Sequence, residues 1–227
     1  MNAPAQQWKA AVAARIAAPL VPFILAIIEN ESGGRAGAKA YRSTRITKNL
    51  PSETGGVIAA DRALGLMQTI PLVIDDFNKV HSAGVTYEQM TGATKADGMK
   101  QIQVGIWTFL NNVRALERLT NQSLFSGNRL NLNLLKLVLV SYAWGIGNLR
   151  NKLDVLADLN LDPTFDNLRA TFPELGKPAN QPLVYVDRIF RKAAKYEGAI
   201  ETATTGASII GALLIGGLLI WAARGSI

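Results

Sequence analysis

Apolar positions along the chain recur mostly three and four residues apart and seldom alternate, so helices are expected rather than strands. In residues 5–18, Trp8, Val12 and Ile16 interleave with Gln7, Lys9 and Arg15, an amphipathic helix that Pro19 stops. Pro22 suits the first turn of the next helix, and from it an almost unbroken apolar run passes Ile24, Ile27 and Ile28. That run ends in Glu29-Asn30-Glu31-Ser32-Gly33-Gly34. Over residues 35–62 the pattern is lost, and Gly, Ser, Thr and Pro mix with Lys39, Arg42, Arg45 and Lys48 in a long basic loop. Thr69 and Pro71 open a helix that reaches about Val80. Asp97 caps another, on which Met99, Ile102, Ile106, Phe109, Leu110 and Val113 form one stripe. Further helices are expected over residues 132–143 and 153–159, and from Asn180 to about Glu197. The expected fold class is mainly α.

The last part of the chain follows a different pattern. Residues 202–223 contain no charged side chain, and as a helix they span ~33 Å at about 1.5 Å per residue, enough to cross a bilayer. Trp221 and Arg224 close the segment like an interfacial anchor, and Ser208, Ala212 and Gly216 form a small-residue face for a partner membrane helix. By contrast, the apolar run over 17–28 is interrupted by Pro19 and Pro22 and lacks a cleavage site, so no signal peptide is expected. The expected organisation is an N-terminal amphipathic helix over 1–19, a globular domain over 20–198 and a transmembrane anchor over 199–227.

Composition narrows the chemistry. With no Cys and a single His81, the chain has no thiolate chemistry, no disulfide and no imidazole pair, and neither metal nor other cofactor is expected. A formal net charge of +7 favours an acidic partner: nucleic acid, anionic lipid or an anionic wall polymer. The basic residues are scattered rather than striped, so no specific nucleic acid is expected.

Within the acidic end of the apolar run, Glu31 falls on the same helical face as Ile24, Ile27 and Ile28. A carboxyl desolvated in this way keeps its proton to higher pH, which suits a general acid. Glu29 has Leu25 and Ala26 beneath it, so spacing alone distinguishes the two carboxylates only weakly.

Four ordered motifs then meet: Glu31-Ser32, Ala63-Leu64-Gly65-Leu66-Met67-Gln68, Ser141-Tyr142-Ala143-Trp144-Gly145 and Tyr185-Val186-Asp187-Arg188-Ile189. Together they resemble the lytic transglycosylase domain of the soluble-lytic-transglycosylase type, related to goose-type lysozyme, over roughly residues 20–197. The resemblance implies a lysozyme-like fold. It also implies cleavage of the β-1,4 bond between N-acetylmuramic acid and N-acetylglucosamine in peptidoglycan, with a 1,6-anhydro product. Glu31 is then the catalytic acid and base. Tyr142 would hydrogen-bond its carboxyl, Ser32 would orient its segment, and Gly65, Met67, Gln68 and Tyr185 would belong to the sugar site. The partners implied are peptidoglycan glycan strands and a membrane.

The chain departs from the family pattern at Ala143, where Asn is usual, at Trp144, and at Gln181-Pro182, where Glu-Thr is frequent. The 34 positions between Glu31 and Gly65 exceed the family spacing, which marks the basic loop over 36–62 as an insertion. A hydrolysing muramidase remains an alternative; it needs a second carboxylate, for which Asp75 and Asp76 are the nearest in sequence after the second motif. A non-catalytic, membrane-anchored assembly protein is the other alternative.

Arg188, Arg191, Lys192 and Lys195 precede the apolar segment and only Arg224 follows it, so the positive-inside rule keeps the domain in the cytoplasm, away from peptidoglycan. One arrangement reconciles these readings: a bacteriophage virion protein, anchored in an internal membrane, that opens the host wall as the genome enters. A bacterial cell-envelope protein is the alternative location.

Overall fold

The structure, a computed structural model, describes residues 3–39, 49–51, 57–59, 63–176 and 182–197. After a 3-10 turn at Gln6–Trp8, the chain forms α1 (Lys9–Ala13), a second 3-10 turn at Ala18–Leu20 and α2 (Val21–Ser32). A short hairpin, β1 (Asn49–Pro51) and β2 (Val57–Ala59), is followed by α3 (Pro71–His81), α4 (Tyr87–Thr91) and the long α5 (Lys95–Thr120). The hairpin β3 (Phe125–Ser126) and β4 (Arg129–Leu130) leads to α6 (Leu132–Trp144), α7 (Ile146–Asp158), α8 (Phe165–Thr171) and α9 (Pro182–Glu197). The structure is mainly helical, as the spacing predicts, with two small antiparallel hairpins that the spacing does not reveal.

Helix α2 lies at the centre. Val21, Phe23, Ile24, Leu25, Ala26, Ile27 and Ile28 are all buried, so the helix is apolar around its whole circumference. It packs chiefly on α9, which also meets α6, a second apolar helix with Leu134, Leu135, Leu137, Val138, Leu139 and Val140 buried. Helix α5 joins this core to a smaller one. Its Ile102, Ile106, Phe109, Val113 and Leu116 enter the main cluster, while Val104 packs with Leu64, Ile74, Phe77, Val85 and Met90. The smaller cluster is also built from α3 and α4, so α5 is a spine shared by two lobes.

Several boundaries differ from the expected ones for local reasons. Asp97 is not the N-cap of α5. Thr94 is, and Asp97 sits three residues inside, where it completes a reciprocal capping box. Helix α7 begins at Ile146 rather than 153, directly after Gly145, whose φ of +90° turns the chain out of α6. Met99, expected on the α5 stripe, is 37% exposed.

The N-terminal residues pack onto the rest of the chain: Ala5, Trp8 and Val12 are buried in the main cluster. The Trp8 indole donates to the carbonyl of Gly34 at 2.9 Å, and its ring leaves no room for a Cβ on Gly98 of α5. Among the described residues, no helix is long and apolar enough to cross a membrane. The segment over 202–223 with Ser208, Ala212 and Gly216, Gln181, and most of the basic insertion lie outside the described residues.

Candidate active site around Glu31

Helix α2 stops because Gly33 adopts a left-handed φ of +62°, which lets its N–H bond Glu29 and the N–H of Gly34 reach back to Ile28 at 3.3 Å. Glu29, Asn30 and Glu31 therefore occupy the last turn, where the buried helix first approaches other surfaces. Two residues apart on a helix, the carboxylates diverge by about 200° and meet different neighbours.

Glu29 is committed to structure. It accepts from the Tyr196 hydroxyl at 2.6 Å and from Lys195 at 3.3 Å, and pairs with Lys192 at 3.7 Å. Burial alone favours its neutral form, but the Tyr196 bond, the Lys195 bond and the two ammonium charges outweigh that and hold its carboxyl below the ordinary range. The same Tyr196 oxygen accepts the backbone N–H of Ala5 at 3.2 Å, so this cluster straps residue 5 to α2 and α9.

Glu31 is balanced the other way. Desolvation by its surroundings raises its proton affinity above the ordinary value, and Tyr185, Asn30, Lys192 and Arg188 offset this only in part. Asn30 is a weak partner, its amide lying 3.4 Å from the carboxyl. Tyr142 at the end of α6 is close enough that the charge of Glu31, after burial, helps to hold its phenol protonated. The Tyr185 phenol is likewise pushed well up, by burial first and then by Glu31. Its hydroxyl is buried and, among the described residues, lacks a partner in good hydrogen-bond geometry although it sits against Glu31. Both tyrosines stay neutral donors at any pH a cell meets.

The second motif forms a tight loop pinned by reciprocal backbone bonds between Leu64 and Thr69 at 3.0 and 2.9 Å. Gly65 takes φ +74°, and a Cβ there would collide with Gln101 of α5 and the carbonyl of Met90, so only glycine fits. The structure thus brings Glu31, Tyr142, Tyr185 and this loop together, but assigns several of the expected contacts differently.

The Tyr142 hydroxyl donates to the Met67 carbonyl at 2.7 Å rather than to the carboxyl. The Met67 side chain does not line a cleft: it is fully buried, packed on Gly105 of α5, and only its backbone faces the tyrosine. Gln68, in a left-handed conformation at φ +50°, spends its amide donors on Gly65 at 2.8 Å and Ala38 at 3.2 Å. Ser32 is buried and donates to the carbonyl of Ile28 at 2.8 Å, so it steadies the last turn of α2.

The candidate second carboxylates lie on α3, against the smaller lobe. Asp75 accepts from the Tyr87 hydroxyl at 2.6 Å, and Asp76 makes an exposed pair with Lys79 at 3.8 Å. Neither is among the groups that shift Glu31. His81 stacks on Phe77 at 4.6 Å, and among the described residues no group of His, Asp and Glu is arranged to hold a metal.

Sequence reading overlooks Gln101, which is completely buried and fully bonded. Its Oε1 accepts from Leu66 N–H at 3.0 Å and Gly37 N–H at 3.4 Å, while its Nε2 donates to Gln89 at 2.9 Å and Gly92 at 2.8 Å. The available signal was a polar residue on the α5 face that carries Gly98 and Gly105. Comparison with family models, curated proteins and solved structures finds no match to this chain.

Proposed function

We propose that this chain is a peptidoglycan lytic transglycosylase with a lysozyme-like catalytic domain, and that Glu31 is its single acid–base group. The observation that supports this reading most is the contrast within one helical turn. Glu29 is ion-paired and held ionised, whereas Glu31 has raised proton affinity between two neutral tyrosines.

A protonated Glu31 donates its proton to the glycosidic oxygen as the bond from that oxygen to C1 of the muramoyl unit breaks. The resulting carboxylate takes the proton of the muramoyl C6 hydroxyl while O6 bonds to C1. The carboxyl is regenerated, no water is consumed and a 1,6-anhydro ring is left. One group that shuttles a single proton suffices, and among the described residues neither Asp75, bonded to Tyr87, nor Asp76, paired with Lys79, shifts Glu31, which supports this chemistry over hydrolysis. Tyr185 can donate to the carboxylate at the stage when it carries charge. The apolar segment over 202–223 would tether the domain to a membrane, and a virion with an internal membrane is the setting that places it beside a host wall.

The test is mass analysis of sugars released from purified peptidoglycan by the full-length chain. The muramoyl ends are expected to be one water lighter than hydrolytic ends and to lack a reducing group. Reducing ends as the main product, abolished by Asp75→Asn or Asp76→Asn, would overturn the reading in favour of a muramidase.

A further inference from the structure

A hydroxyl has one proton to give, and what accepts it decides what the oxygen offers its other neighbours. Tyr142 gives its proton to the Met67 carbonyl, so although it feels the charge of Glu31 it has no proton left to donate to that carboxyl. The position of that carbonyl is set one residue earlier, where Leu66 N–H is held by Gln101. The same amide is anchored to α4 by the carbonyls of Gln89 and Gly92, and it reaches the segment after α2 through Gly37.

All four strong hydrogen-bonding positions of this side chain are filled, inside the protein and away from water. Burying an amide is favourable only when it is satisfied in this way, and losing one partner leaves a costly orphan. The Gly65 backbone packs directly on its stem, so the loop cannot shift without disturbing the clamp.

We propose that Gln101 is a positioning residue for Glu31: by fixing the backbone of Leu66 and Met67, it keeps the Tyr142 hydroxyl bound to the Met67 carbonyl and off the carboxyl. This rests on reading Glu31 as the proton-transferring group. The other groups facing Glu31 are Asn30 from α2 and Tyr185, Arg188 and Lys192 from α9, all of which favour its charged form. If Tyr142 joined them as a donor, it would add to that side and cancel part of the desolvation that keeps the acid protonated. Gln101 therefore works at a distance on which form of Glu31 predominates.

The experiment follows the carbon-13 carboxyl resonance of Glu31 through a pH titration of the full-length chain in detergent micelles. In Gln101→Met the midpoint is expected to fall by about one pH unit, a tenfold loss of proton affinity, because the freed Tyr142 hydroxyl turns to the carboxylate. Adding Tyr142→Phe to that variant should restore the parent midpoint. An unmoved midpoint in Gln101→Met, or a fall that persists in the double variant, overturns the proposal.

A comparison of two conservative variants guards against failure of Gln101→Met to fold. Tyr185→Phe should raise the midpoint in the otherwise unaltered chain, whereas Tyr142→Phe should not. An equal rise in both would show that Tyr142 already donates to Glu31, and the proposal would fall. None of these readouts uses peptidoglycan, so absence of wall cleavage would sink the enzymatic reading while leaving the clamp intact.

Discussion

Glu29 and Glu31 differ by two positions and by the sign of what folding does to them. Glu29 has its affinity for protons lowered below the ordinary 4.5, so its stabilising effect is present above that pH and lost as pH falls through the lower folded value. Glu31 has its affinity raised, so the folded state holds a proton that the unfolded chain has released, and stability falls as pH climbs from 4.5 through the folded value. Glu31→Gln is therefore expected to raise the Tm at pH 7, to leave it nearly unchanged at pH 4, and to reduce wall cleavage by about 10²-fold or more. Glu29→Gln should instead lower stability by about 1–3 kcal/mol, since two lysines lose a charged acceptor. Paired thermal melts and cleavage assays check both, and near-normal cleavage by Glu31→Gln with an inactive Glu29→Gln would reverse the assignment. The choice was only faintly legible beforehand. Helical spacing sets Glu31 over Ile24, Ile27 and Ile28, but every side of α2 is apolar, so a stripe argument cannot separate its two carboxylates. What separates them is α9, about 150 residues away, which bonds Glu29 through Tyr196 and Lys195 and pairs it with Lys192, whereas it sets Tyr185 against Glu31 and reaches that carboxyl from Lys192 and Arg188 only through charge.

Elements with a long apolar repeat or a strong stop signal were readable, and those fixed by distant partners were not. Pro71 at its start and His81 in its last turn mark α3, and the described part of α9, Pro182–Glu197, lies within the expected helix. The short α4 and α8 escaped because five and seven residues show too little periodicity; their local signatures were capping threonines, Thr86 with Gln89 in a capping box and Thr164 with Asp166 in the first turn. Met67 was misplaced for a related reason, since nothing local says that Gly105 opens a socket for its side chain. Close helix contacts of this kind make a prediction about α5. In an exposed helix Gly→Ala gains about 1 kcal/mol, but at Gly98 the new methyl would strike the rigid Trp8 ring. Gly98→Ala is thus expected to destabilise the fold by about 1–3 kcal/mol, read as a lower denaturant midpoint, and Trp8→Leu in the same background should recover part of the loss. A stabilised Gly98→Ala would mean that the N-terminal strap is not held against α5 at all.

At the scale of the whole molecule, composition and spacing announce a helical protein, but not its division into two lobes along α5. The reason is that Ile102, Val104 and Ile106 look equivalent in a list of apolar residues while α5 sends them to different clusters. The membrane reading belongs to this scale too: full-length chain is expected to pellet with membranes and resist an alkaline wash, because 22 uncharged residues meet the length a span requires. Recovery in the supernatant without detergent would defeat it. The burial of α2 carries a further cost during synthesis. Its principal partner α9 begins about 150 residues later, so at about 5–20 residues per second this strongly apolar helix waits roughly 8–30 s for its cover. During that interval, a segment apolar on every side must be shielded by its early neighbours or by a chaperone, which ties the yield of folded protein to translation speed between the two helices.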